Sequence, residues 1–200
     1  MTSPGSANAC GGTMAILKTA GRMADRMQIG TGVKFALGEN PKSVYNDRDE
    51  TPITRMATAA MIREGLAKAQ RYQQELDFAE SDPDEHMPDY DAKSEALLPL
   101  LERDVKAHFH CHRADDICTA IRIAKEFNLD YVIIHGTEGH LIADILAEEN
   151  APVIAGPILC DRCKPEMQHL TISGPSIMQK AGVKLALCTD HPVIPIQYLP

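Results

Sequence analysis

No apolar run in the 200 residues approaches the roughly 18 needed to cross a bilayer, and the opening MTSPGSANACGG has neither a charged n-region nor an apolar h-region. A soluble, cytoplasmic protein with no membrane partner is expected. Basic charge is in short supply as well. Lys and Arg total 20 against 28 Asp and Glu, the formal net charge is −8, and the basic residues are scattered rather than striped. The electrostatic footprint of a nucleic-acid binder is therefore missing. No Gly-x-Gly-x-x-Gly or phosphate-cradling loop follows a strand-like run, which leaves the nucleotide-binding version of an α/β fold without support. Cysteine is present six times, at 10, 111, 118, 160, 163 and 188. Without a secretory leader these are read as reduced thiols rather than a disulfide framework. Cys160 and Cys163 form a Cys-x-x-Cys pair, but no second pair follows to complete a structural zinc site, and the pair does not open a clear redox helix.

What is there suits one domain, 1–200, with 44% apolar residues to supply a core. Residues 14–27 (MAILKTAGRMADRM) read as a short helix and GVKFAL at 32–37 as a strand ended by GENPK. A long amphipathic helix is expected over 53–77, with Ile53, Met56, Ala60, Met61, Leu66 and Ala67 on its apolar face. The acidic stretch 80–91, ESDPDEHMPDYD, reads as a solvated loop or insertion. From residue 92 strand and helix alternate, with strands near 105–109, 130–134, 152–155 and 183–188. Strands this apolar on both faces belong in a parallel sheet covered by helices. The fold class is α/β. Five strands fit an open doubly wound sheet, and they also fit an eight-stranded barrel lacking its first three strands.

His110, His135 and Asp190 each follow a strand-like run, VKAHF, YVII and VKLALCT. Active groups of parallel α/β folds gather where strands end at their C-terminal edge, so these three side chains fall at one rim. Two imidazoles and a carboxylate suit a zinc-like divalent ion with open positions, which activates water, and Asp190 is placed to serve as general base. Iron, manganese or nickel would accept the same ligands. Each of the three taken singly is better explained as a hydrogen-bonded core or rim residue, and it is the three together, on separate strands, that favour a metal site. His108 and His112 alternate with His110 and share its face on a strand, so spacing alone does not choose among them.

HFHCHRADDI, IIHGTEGH, CTDHPVIP and the earlier PGSAN, GG and KFALGENPK together resemble the metal-dependent amidohydrolase superfamily, in particular its imidazolonepropionase-related branch. The resemblance runs from Pro4 to the last residue. It implies a (β/α)8 TIM-type barrel of which this chain carries approximately strands 4 to 8, and hydrolysis of a C–N bond in a small-molecule amide or cyclic amide. By position, His110 and His135 resemble the metal ligands of strands five and six, and Asp190 the aspartate of strand eight. Lys34 stands where dinuclear members carry a carboxylated lysine, and an ordinary strand-edge lysine is an equal reading; Glu39 is a weaker substitute ligand. The strand-one His-x-His of the family has no equivalent upstream of Lys34, so the expectation is a fragment with an incomplete site, completed by a complementing chain or associating as a homo-oligomer. Two other readings stand beside it: an inactive domain that assembles through an open sheet edge, and a zinc-binding interaction domain built on Cys160, Cys163 and nearby histidines. Arg162 and Lys164 read as substrate-carboxylate contacts or as solvated loop charges.

Overall fold

Six strands form one sheet in the order β1 to β6, each beside its sequence neighbour. The computed structural model of the chain describes residues 1–82 and 84–198. Strand β1 (Cys10–Leu17) is antiparallel to β2 (Gln28–Ala36), and β2, β3 (Lys106–Cys111), β4 (Tyr131–His135), β5 (Val153–Ala155) and β6 (Leu185–Leu187) are all parallel. The strand order never reverses, so there is no switch point of the doubly wound kind. Right-handed crossovers between sequential parallel strands put their helices on one face. Those helices are α2 (Glu39–Asn46), α3 (Arg55–Ser81), the single turns α4 (Ala92–Glu95) and α5 (Leu98–Leu101), α6 (Ala114–Glu126), α7 (Ala143–Glu148) and α8 (Gly174–Lys180); α1 (Ala24–Met27) is one turn before β2. Helix α3 packs on α6, and α7 on α8. No helix among the described residues is long and apolar enough to cross a membrane.

The two faces of the sheet differ in chemistry. Register aligns Phe35, Phe109, Ile133 and Val153 across β2 to β5, and all four belong to the core under the helices. The rings of Phe35 and Phe109 stack with centroids 5.2 Å apart. Successive side chains alternate faces. Lys34 is therefore aligned with His108 and Val132, and Ala36 with His110, Ile134 and Ile154, on the opposite face.

Three expectations need correction. Residues 14–17 belong to β1 rather than to a helix, and the helix there is confined to Ala24–Met27. The spacing of Met14, Ile16 and Leu17 fits both periods, and pairing with β2, a long-range interaction, decides between them. The long helix is present, but its packed face is Thr58, Ala59, Ile62, Leu66, Ala69 and Tyr72, whereas Ile53, Met56 and Ala60 are exposed. The segment 92–104 is two separate turns instead of one helix. Most described residues of the acidic stretch 80–91 are exposed, but its first two, Glu80 and Ser81, still belong to α3; its Pro83, like Leu199 and Pro200 of the tail, lies outside the described residues.

Helix α3 begins where Thr54, in extended conformation, accepts the Ala57 N–H at 3.1 Å. Thr54→Ala should therefore cost about 1 kcal/mol, read as a lower urea midpoint with an unchanged slope. An unaltered midpoint would mean that tertiary packing alone holds this end.

Candidate metal centre

The C-terminal ends of the parallel strands open on a cavity of about 1330 Å³. Its lining includes Lys34 from β2, His110 and His112 from the end of β3, His135 from the end of β4 and Asp190 beyond β6. The four residues singled out in sequence, Lys34, His110, His135 and Asp190, thus face one space. Ser3 to Ser6 and the loop from Pro157 to Lys164 form further walls.

Three imidazoles converge at the cavity floor. One nitrogen from each of His110, His112 and His135 lies within 4.8 Å of the other two, and this is the one such group of three or more found among the described residues. Ring centroids are 4.6 Å apart for His110 with His135 and for His112 with His135. His135 reaches this position against the alternation of its strand. It pairs with Cys111, whose side chain belongs to the helix-covered core, so simple pleating would turn His135 under the helices. Instead its φ is +74°, a left-handed conformation uncommon for residues with a side chain, and the imidazole comes out on the cavity side. Asp190 also has positive φ, +52°. Such backbone strain concentrates at functional sites.

Hydrogen bonds anchor each ring. His135 Nδ1 bonds the Gly156 carbonyl, and His110 Nδ1 lies 3.4 Å from the Leu37 carbonyl, an arrangement that leaves Nε2 to face the cavity. Anchoring one imidazole nitrogen to a carbonyl while the other faces an ion is the usual way a metal-binding histidine is oriented. His110 Nε2 is also 3.4 Å from the Asn40 amide nitrogen. His112 differs, with Nδ1 2.7 Å from the Thr137 hydroxyl.

Burial holds the cluster neutral. It pushes His110 well below the usual histidine range, helped by His135 and His112, and lowers His135 in the same direction. His112 is pushed down to about 2 by burial and by His135 and Lys164. Neutral imidazoles are the form that binds a metal ion, so the donor set fits a divalent cation. Burial likewise lowers Lys34, against the opposing pull of Asp190 and Cys188. Its ammonium donates to Ser3 Oγ at 3.1 Å and to the Pro4 carbonyl at 3.4 Å.

Other sequence candidates are placed differently. Glu39 turns toward the 165–167 turn, its Oε2 3.4 Å from the Glu166 N–H. Arg162 donates to the Leu170 carbonyl and Lys164 to Asn40 Oδ1, so both loop cations have partners within the protein while still lining the cavity. Cys160 and Cys163 also line it, but neither joins a cluster of three or more ligand-type groups among the described residues. Glu166, Asn40 and Thr137 were not legible. Asn40 opens helix α2, Glu166 lies in a short turn and Thr137 follows β4, and only the meeting of these distant segments brings the three together.

Buried imidazoles gathered at the C-terminal rim of parallel strands suit a divalent metal ion. Comparison with known proteins finds amidohydrolases. The chain superposes on the crystal structure of an amidohydrolase from Thermotoga maritima MSB8 with a TM-score of 0.91 and 43% identity, over 96% of this chain and 50% of that one. It is 27% identical to the amidohydrolase tasK of Hapsidospora irregularis across 98% of its own length and 22% of the relative's. No protein-family model matches. The two relatives support an amidohydrolase family for this chain, which spans half the solved structure and about a fifth of the curated relative.

Proposed function

We propose that the chain carries much of the metal site of an amidohydrolase, built on a partial (β/α)8 barrel comparable to strands 4 to 8, that hydrolyses a C–N bond in an amide or cyclic amide. The observation that carries this reading is the pairing of His110 and His135 at one strand rim, with His112 beside them, in a cavity shared with Lys34 and Asp190. A divalent ion there, zinc by preference, would supply Lewis acidity and bring the pKa of a water near neutrality. His110 and His135 would hold the ion through Nε2, their Nδ1 atoms being anchored on backbone carbonyls. Lys34 faces the same space from β2. Asp190 takes a proton from the attacking water and returns it to the leaving nitrogen, the task of a general base and acid. The neutral rings and the depressed Lys34 keep positive charge low, which favours a cation.

Elemental analysis of the purified chain beside a His110→Ala/His135→Ala variant tests this. The expected result is near one metal ion per wild-type chain and at least a tenfold loss in the variant. Equal, trace-level metal in both proteins would refute the site. A second reading, an inactive domain that assembles through its sheet edge, is favoured by β6, which among the described residues pairs only with β5 and leaves Leu187 45% exposed. That reading predicts association without metal.

A further inference from the structure

The third histidine of the cluster is held by groups unlike those holding the other two. Glu166, in the turn Pro165–Met167, is 1% exposed. Its Oε2 accepts the Glu39 N–H at 2.9 Å, but its Oε1 is buried without a hydrogen-bond partner. Two nitrogens of basic side chains face Oε1, Lys164 Nζ at 3.5 Å and His112 Nε2 at 3.7 Å. Lys164 also donates to Asn40 Oδ1 at 2.7 Å, and its ammonium forms an ion pair with Glu166. His112 Nε2 faces the same carboxylate from the cluster side, about half an ångström beyond hydrogen-bonding distance. An unsatisfied buried carboxylate oxygen is costly, so a small closure onto that N–H is favoured. Gly38 makes room for this carboxylate. Its φ is +90°, and a Cβ there would stand 2.7 Å from Glu166 Oε2.

We propose that Glu166 is a positioning residue that fixes His112 as the Nε2–H tautomer and so keeps it out of the metal's ligand set. In this arrangement the Thr137 hydroxyl donates to His112 Nδ1, and His112 Nε2–H donates to Glu166 Oε1. Both ring nitrogens are then occupied. His112 serves as a neutral wall, its ring stacked on His135 with an interplanar angle of 5°. Two imidazoles rather than three would then hold an ion, with Asp190 lining the same cavity. The inference rests on the proposed metal-hydrolase reading for its role in catalysis, but the tautomer is a property of the protein itself.

Two measurements on the full chain separate the claims. Long-range proton–nitrogen NMR of the metal-free, ¹⁵N-labelled protein should show His112 as Nε2–H. Glu166→Leu should shift it toward Nδ1–H, and Glu166→Gln, which keeps an acceptor oxygen, should restore most of the original signature. An Nδ1–H tautomer in the wild type, or no response to Glu166→Leu in a protein that remains folded, overturns the proposal. Zinc content should stay at the wild-type level in His112→Gln but fall at least tenfold in His110→Ala. Loss of zinc from His112→Gln would make His112 a ligand and overturn the inference while the metal site stands. A wild-type chain that takes up no zinc, with the Nε2–H tautomer present, would overturn the hydrolase reading and leave the Glu166 contact established.

Discussion

Gly156→Ala is expected to abolish cooperative folding or to cost about 4 kcal/mol, the range reserved for changes the backbone cannot absorb. Gly156 follows β5 and has φ +136°. A Cβ on it would lie 1.9 Å from the Cys188 carbonyl oxygen and 2.9 Å from the carbonyl carbon. Those atoms are backbone, and they cannot swing aside as a side chain would. Cys188 is further tied to β5, its N–H donating to the Ala155 carbonyl at 2.8 Å. The new methyl must therefore push β6 away from β5 or displace the Gly156 carbonyl, which holds His135 Nδ1. Stability and metal content should fall together. Gly182→Ala is the appropriate control, because φ is +96° there and nothing lies within 4 Å of the added carbon. It carries conformational strain of about 1 kcal/mol without a clash. Urea unfolding of both variants decides the matter, and equal losses would mean that the β5–β6 contact yields easily.

Under the proposed mechanism, Asp190→Asn should lower kcat by about 10²- to 10⁴-fold, the usual contribution of a positioned general base. The exposed Asp190 sits at the cavity with φ +52°, a conformation that asparagine tolerates. Fold and volume should be preserved, so the loss reports the missing carboxylate. The measurement is turnover of an amide panel by zinc-loaded wild type and variant, with unfolding curves alongside. Wild-type rates in the variant would exclude Asp190 as the base. A loss matched by an equal loss of metal would instead assign it to holding the ion.

Much of the parallel sheet was legible because each of its strands is a short apolar run bounded by turn residues. Strands expected near 105–109, 130–134 and 152–155 are found at 106–111, 131–135 and 153–155. Strand β1 was not legible. Of its eight residues only Met14 is buried, so its sequence carries little alternation, and its existence depends on pairing with β2. The same distinction holds in the site. His110 and His135 stand out because each closes or nearly closes a buried run. Whether His112 joins them depends on Thr137 and on Glu166, the latter 54 positions away, and no local pattern encodes that encounter. The turn of His135 to the cavity side is also invisible in the alternation, since it arises from one left-handed residue.

The pleat sorts the sheet by residue number. Odd positions such as Val33, Phe35, Ala107, Phe109, Ile133 and Val153 lie under the helices, and even ones such as Lys34, His108, His110 and Val132 lie on the other face. Cohesion and chemistry are thus written on alternate letters of the same strands. Variation at even positions can retune what the rim binds while leaving the helix-covered core untouched. His135 is the exception, an odd residue working on the even side, and a substitution there would touch backbone conformation and ligand set at once.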